Sequence, residues 1–435
     1  MPGNDRVVRV SSVTTPRTPS DFRPLSRLVD GTIKQINPFT GTDVWTVPGR
    51  ANRPLTGFGV EAHPIDPAER GRHCAFCDRR YLETTPEITR VVHVGDHWET
   101  FDRVAPNRLE ATVADFRVVP NLFEIVSFDY WRANHGYEPN AEQVSALRTY
   151  ESTAAGREHL SALVATRMRA AGASEADIEH LSAGDLEDHA IGFFAPSHVV
   201  VIARRHFISR ATRTDQLAGS MTLSTAEHEQ YLRLTIQAMH ELYRSNPHAQ
   251  LVAAFQNWLK PAGASFDHLH KQLVAVDELG NDLRAQLERL EHEPDLYERW
   301  GVQYAREQGL VIAENDHAVL TAGVGHRHPS LEIWSTAPGR PWELSEAAVR
   351  GWSDLLHAAH AATGVLVPTN EEWHHQPPSI DQPMPLRAIL KWRINTTAGF
   401  EGGTKIYVNT IDPWTLADRV RAALEPLRAR GEVNA

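Results

Sequence analysis

Between Phe266 and Val276 the chain alternates, so that His268, His270, Gln272 and Val274 share one side while Leu269, Leu273 and Ala275 fall on the other. The pattern predicts a strand that gives up apolar burial on one face to display two imidazoles and a carboxamide. Such a loss points to a site; a solvent-facing polar strand edge is the plain alternative. Other apolar runs predict further strands at Ile88–Val94, Phe116–Val119, Val199–Ile202 and Leu251–Phe255, with a further run at Leu122–Val126. Helical spacing covers Asn140 to Gly172, where Val144, Leu147, Leu160, Leu163, Val164 and Met168 recur on one side. Another helix is expected from Ser224, which forms a capping-box pair with Glu227 ahead of the stripe Tyr231, Leu234, Ala238 and Leu242.

A strand, helix, strand, strand order then returns more weakly. Leu331–Trp334 reads as a strand, Ser345–Ala362 as an amphipathic helix, Gly364–Val367 and Ala388–Ile394 as strands, and Thr415–Arg428 as a final helix. The repetition predicts an α+β duplication joined near residues 280 to 315, with the charged text from Asp282 to Gln308 as connector. Turn-rich text from Thr32 to Pro54 suits short strands. Residues 1–30 read as a flexible arm, 31–280 as an N-terminal catalytic domain with a helical insertion near 134–186, and 281–435 as a C-terminal domain.

Length supports the division, because 435 residues exceed one ordinary core. A formal net charge of -11 argues against nonspecific nucleic-acid binding, which needs a basic face, but leaves room for local arginines that hold small anions. The N-terminal text has no apolar signal region and no segment is long enough to span a bilayer. A cytoplasmic protein without membrane partners is expected.

The two cysteines, Cys74 and Cys77, stand in a CxxC pair, which reads as half of a tetrahedral metal site or as a redox pair. Among 23 histidines, His268 and His206 are the best placed to complete such a site, each bordering a predicted strand.

Four ordered motifs resemble the galactose-1-phosphate uridylyltransferase family of the histidine-triad superfamily. They are Asn37-Pro38-Phe39-Thr40-Gly41 with Trp45 and Arg50-Ala51-Asn52-Arg53-Pro54; Cys74-Ala75-Phe76-Cys77; Asn257, Gly263-Ala264-Ser265 and His268-Leu269-His270-Lys271-Gln272; and Ala398-Gly399-Phe400-Glu401-Gly402-Gly403-Thr404 with Tyr407-Val408-Asn409. The resemblance implies two histidine-triad-like units, each an antiparallel sheet with helices on one side, and a homodimer. It implies a nucleotidyltransferase working by ping-pong on a nucleotide sugar and a sugar 1-phosphate. His270 is then the nucleophile, and Gln272 contacts the α-phosphate. Cys74, Cys77, His206 and His268 would hold a structural zinc. Arg50 and Arg53 would hold nucleotide phosphates, Asn257, Gly263 and Ser265 would contact phosphate and nucleotide, and Glu401 would accept a sugar hydroxyl.

Departures from the family fall in the C-terminal half. Lys391-Trp392-Arg393 stands where a second HxH metal pair is expected, and Asn395 lies near the place of a sugar-phosphate lysine. Arg393 or Lys391 is a candidate for the second substrate's phosphate. Two other functions stay open: a nucleotide-sugar or dinucleoside-polyphosphate phosphorylase that uses inorganic phosphate, and a non-catalytic zinc-stabilised nucleotide-binding protein. The Gly- and Pro-flanked His326-Arg327-His328 reads as a surface turn. His374 and His375, being adjacent, are expected on opposite faces of any strand.

Overall fold

The computed structural model describes residues 22–49 and 62–435. Three short strands come first: β1 (Leu25–Arg27), β2 (Ile33–Ile36) and β3 (Asp43–Thr46). They are followed by β4 (Thr89–Val94), β5 (His97–Asp102), β6 (Phe116–Pro120), β7 (His198–Ala203), β8 (Leu251–Trp258) and β9 (His270–Val276). The later strands are β10 (Val311–Glu314), β11 (Ala318–Ala322), β12 (Ser330–Pro338), β13 (Thr369–His374), β14 (Pro385–Trp392) and β15 (Ile406–Asn409).

Eleven strands form one sheet in the order β10-β11-β12-β14-β13-β8-β9-β7-β6-β4-β5. Every neighbouring pair in it is antiparallel. The chain's two halves meet at β8 and β13, where Asn257 pairs with Asn370 and Phe255 with Glu372. A smaller sheet runs β1-β2-β3-β15, its last pair parallel. The fold is therefore α+β, with the large sheet antiparallel throughout, as the repeated order predicts.

Five helices lie between β6 and β7: α1 (Phe128–His135), α2 (Ala141–Glu151), α3 (Ala154–Ala170), α4 (Glu175–Glu179) and α5 (Ala183–Ala190). The single helical stretch expected over Asn140–Gly172 is two helices, because Thr153 caps a new start by accepting from the Gly156 N–H. The stripe itself is as expected, with Leu147, Leu160, Leu163 and Val164 buried.

Helix α6 (Thr225–Ser245) begins at the capping box of Ser224 and Glu227. Charged helix α7 (Gly280–Leu290) and the short α8 (Leu296–Glu298) and α9 (Tyr304–Glu307) link the halves. Then come α10 (Glu346–Thr363), α11 (Gly399–Thr404) and α12 (Pro413–Ala429). Helices α6 and α10 pack against each other and against the back of the large sheet. Their apolar stripes fill the main core with Tyr231, Leu232, Met239, Trp352, Leu355 and Leu356. Among the described residues no helix is long and apolar enough to cross a membrane.

Three local expectations are corrected. Residues Gly364–Val367 are a turn, and the strand comes later, at Thr369–His374, where a polar face hides the pattern. Leu122–Val126 is a loop at whose centre the Ile125 N–H donates to His198 Nδ1. His326–His328 is no surface turn: His328 is buried against Asn395 and His326 bonds Glu332.

Candidate active site and metal centre

Strand β9 starts at His270, four residues later than the alternation from Phe266 suggests, yet His268 still reaches the site from the bend just before it. The Cys74-Ala75-Phe76-Cys77 turn places both sulfurs beside it. Cys74 Sγ lies 3.8 Å from Cys77 Sγ, 3.5 Å from His206 Nδ1 and 3.5 Å from His268 Nδ1. Cys77 Sγ lies 3.7 Å from His206 Nδ1 and 3.9 Å from His268 Nδ1.

All four donor atoms lie within 4.8 Å of one another. The five separations of 3.5 to 3.9 Å are close to the roughly 3.3 to 3.8 Å edges of a tetrahedron drawn by four bonds of roughly 2.0 to 2.3 Å, so the residues fit a metal ion. His268 Nε2 donates to the Ala203 carbonyl at 2.6 Å, which leaves Nδ1 with its lone pair toward the sulfurs. The hydrogen bond between the two thiols holds Cys77 low, helped by both histidines, and pushes Cys74 up together with burial.

The same turn reaches His270. The Phe76 ring meets the His270 ring edge-on at 5.1 Å and packs on Phe266 at 4.7 Å. His270 Nδ1 donates to the His268 carbonyl at 2.7 Å, and a carbonyl can only accept, so Nδ1 carries the proton. Nε2 is left as the lone-pair nitrogen. Burial pulls the imidazole down to about 4, which keeps it neutral at physiological pH.

Gln272 is aimed by a residue that the pattern of the sequence does not single out. His198, the first residue of β7, accepts the Ile125 N–H on Nδ1 at 3.2 Å. With Nδ1 accepting, the proton is on Nε2, which donates to Gln272 Oε1 at 3.1 Å and lies equally close, at 3.1 Å, to the Asn121 carboxamide nitrogen. The Gln272 NH2 then points away from His198 and is free to donate. Burial brings His198 down to about 4 as well. Its only sequence signal is a histidine directly ahead of the Val199–Ile202 run.

Asn257 ends the row. The register that pairs Phe255 with Gln272 carries Asn257 to the level of His270. Gly263 lies in the loop between them with φ +90, a left-handed backbone that favours glycine. Ser265 is exposed in the same loop. Glu401 is elsewhere: it lies in α11 beside the small sheet, and its carboxylate accepts the Ala398 N–H at 3.0 Å. Arg50 and Arg53 lie outside the described residues.

The back of β9 holds a surprise. Lys271 is fully buried there and forms an ion pair with Glu371 of β13. Glu371 also accepts from His360 Nε2 at 2.7 Å and from Trp373 Nε1 at 2.5 Å, and Lys271 donates to Gln256 at 3.1 Å. Burial would raise the Glu371 carboxyl, but the Lys271 charge and the His360 bond hold it well below the usual range. His374 ends β13, and His375, just past the strand, bonds the Tyr243 hydroxyl at 3.0 Å; both border the same cavity.

Two solved structures share this architecture. An ADP-glucose phosphorylase from Arabidopsis thaliana, solved with bound ADP-glucose, is 18% identical over 90% of this chain and 98% of its own, with a TM-score of 0.56. A GalT-like protein from the same plant is 18% identical over 89% of this chain and 98% of its own, with a TM-score of 0.55. The class is thereby defined by fold alone: the chain shares the α+β architecture of these two proteins. More particularly, the family model described as a domain of unknown function (DUF4921) matches residues 28–435, and the chain belongs to that family. No curated protein matches the chain.

Proposed function

We propose that this protein is a nucleotidyltransferase that works by ping-pong through a nucleotidyl group on His270. The observation that carries the reading is the tautomer of His270: neutral, protonated on Nδ1 by its bond to the His268 carbonyl, with the Nε2 lone pair open. In the first step Nε2 attacks the α-phosphorus of a nucleotide sugar. The P–N bond forms, the P–O bond to the sugar phosphate breaks, and the leaving oxygen takes the electron pair. The ring becomes cationic and stays hydrogen-bonded at Nδ1. In the return step an acceptor phosphate oxygen attacks phosphorus and the P–N electrons go back to Nε2.

The NH2 of Gln272, oriented by His198, donates to a non-bridging α-phosphate oxygen. Asn257, Gly263 and Ser265 border the phosphates, and Arg50 with Arg53 add cationic forks. Glu401 is assigned to a sugar hydroxyl by its motif alone. Cys74, Cys77, His206 and His268 would hold a structural zinc, which would fix the turn whose Phe76 packs on His270. The acceptor is a sugar 1-phosphate or, as in a phosphorylase, inorganic phosphate, and the working form is a homodimer.

Incubation with UDP-glucose or ADP-glucose followed by intact-mass measurement tests the reading. A nucleoside monophosphate adduct is expected on the wild type and not on His270→Ala. No adduct on the wild type, or one that survives His270→Ala, overturns it.

A further inference from the structure

The front of the large sheet remains polar past Asn257, across the seam between the halves. Asn370 Nδ2 donates to Asn257 Oδ1 at 2.7 Å and to the Ala262 carbonyl at 2.7 Å. Asn370 Oδ1 in turn accepts from Arg393 Nη1 at 2.6 Å. A hydrogen-bonded line thus runs from the neighbour of His270 to a guanidinium two strands further on. The line borders a cavity of about 640 Å3 whose lining includes Asn257, Asn370, Glu372, His374, Arg393 and Asp282. A space of that size takes a small organic molecule, well beyond a single ion.

Charge in the cavity is divided. Lys391 reaches Glu372 at 2.5 Å, so that cation and that anion cancel. Arg393 is different: half-buried, with Nε buried and unpartnered, it is paired with no carboxylate among the described residues. His374 Nε2 is likewise buried without a partner, and burial with the nearby Arg387 and Lys391 charges keeps that ring neutral. Asn281 and Asp282, at the start of α7, also line the cavity and offer acceptors for hydroxyls. A guanidinium that keeps free donors beside a transfer centre is built for an oxyanion.

We infer that this cavity is a subsite for a phosphoryl compound, with Arg393 holding its phosphate and the α7 end facing the rest of the molecule. The inference rests on the transfer reading, because it places the acceptor, and the departing sugar phosphate, on the far side of Asn257 from His270. Of the two cations that the sequence offers for the second substrate, it selects Arg393, since Lys391 is already neutralised.

Binding and transfer are read separately. Wild type, Arg393→Met, Arg393→Lys and Gln272→Ala are titrated by calorimetry with orthophosphate and with glucose 1-phosphate, no nucleotide being present. The adduct assay is run on the wild type in parallel. Arg393→Met is expected to weaken at least one of these ligands by about tenfold or more, as loss of a charge-assisted fork does. Arg393→Lys should restore part of the affinity. Glucose 1-phosphate bound far more tightly than orthophosphate identifies a sugar phosphate as acceptor; similar affinities identify inorganic phosphate. Circular dichroism confirms that the variants fold, and Arg393→Lys serves if Arg393→Met does not. Equal affinity in Arg393→Met and wild type, loss only in Gln272→Ala, or no binding to wild type overturns the subsite. Failure of the wild type to form an adduct, with Arg393-dependent binding intact, overturns the transfer reading instead.

Discussion

The two faces of β9 carry polar groups under opposite rules. On the front, His270 and Gln272 are neutral, and each has one end held by protein so that the other is open: the His268 carbonyl holds Nδ1, and His198 holds Oε1. On the back, Lys271 and Glu371 form a fully buried ion pair in which each partner is also bonded to other side chains. A buried charge survives only when partnered, and a reactive lone pair is useful only when it is not. Alternation lets one strand meet both demands with neighbouring residues.

The largest expected effect breaks the front without the back. His270→Ala should lose transfer by at least about a thousandfold, because the nucleophile itself is gone, while denaturant unfolding changes little; a variant that keeps turnover would show that the open lone pair is idle. Next in size is the converse. Glu371→Ala should cost about 3–5 kcal/mol of stability by stranding the Lys271 charge. The double variant Lys271→Met with Glu371→Leu should recover most of that loss, and guanidinium melts check both. If the single change proves mild, the pair is not holding the back together.

Removing the ion is expected to act on both faces. Cys74→Ser should bind less zinc by elemental analysis and melt lower by several degrees, since the ligand turn carries Phe76 against His270. Full zinc content in that variant would refute the ligand set. Smaller still, His198→Ala frees Gln272 to turn over; kcat should fall about tenfold to a hundredfold with the adduct still detectable. Unchanged kcat would mean that the carboxamide needs no orienter.

The smallest effect is a pH dependence just behind the site. Glu124, which accepts the Ser197 N–H next to His198, is raised by burial from 4.5 to about 7. The folded protein therefore binds that proton more tightly than the unfolded chain does. Its contribution is fully present below about pH 4.5 and is lost as pH rises through about 7. Glu124→Gln should flatten this part of the stability profile, measured as Tm between pH 5 and 8.

What could be read from the sequence follows from the same physics. The pairing of Cys74 with Cys77 and the display of His270 with Gln272 are legible because short spacings translate directly into geometry, in the CxxC turn and in the alternation of β9. Residues joined only by the fold are not. His198 meets Gln272 across two strands, and Lys271 meets Glu371 from the other half of the chain. The alternation places Lys271 inward, but a lone lysine in an apolar run gives no hint of its partner. Strand β13 is hidden for a related reason: Asn370, Glu372 and His374 face a cavity, so the strand lacks an apolar side to announce it. Helix starts fared better at Ser224, where capping is local, than at Thr153, where a break interrupts an unbroken stripe.

The seam between β8 and β13 also bears on how such a chain matures. During synthesis β8 emerges long before Glu372 exists to pair with Phe255, so the nascent first half presents an open edge in the middle of what will be one sheet. Closing it is a long-range event, and contacts of that span form slowly. Until then the exposed ladder of Leu251–Trp258 is the place where two immature copies would join each other in error.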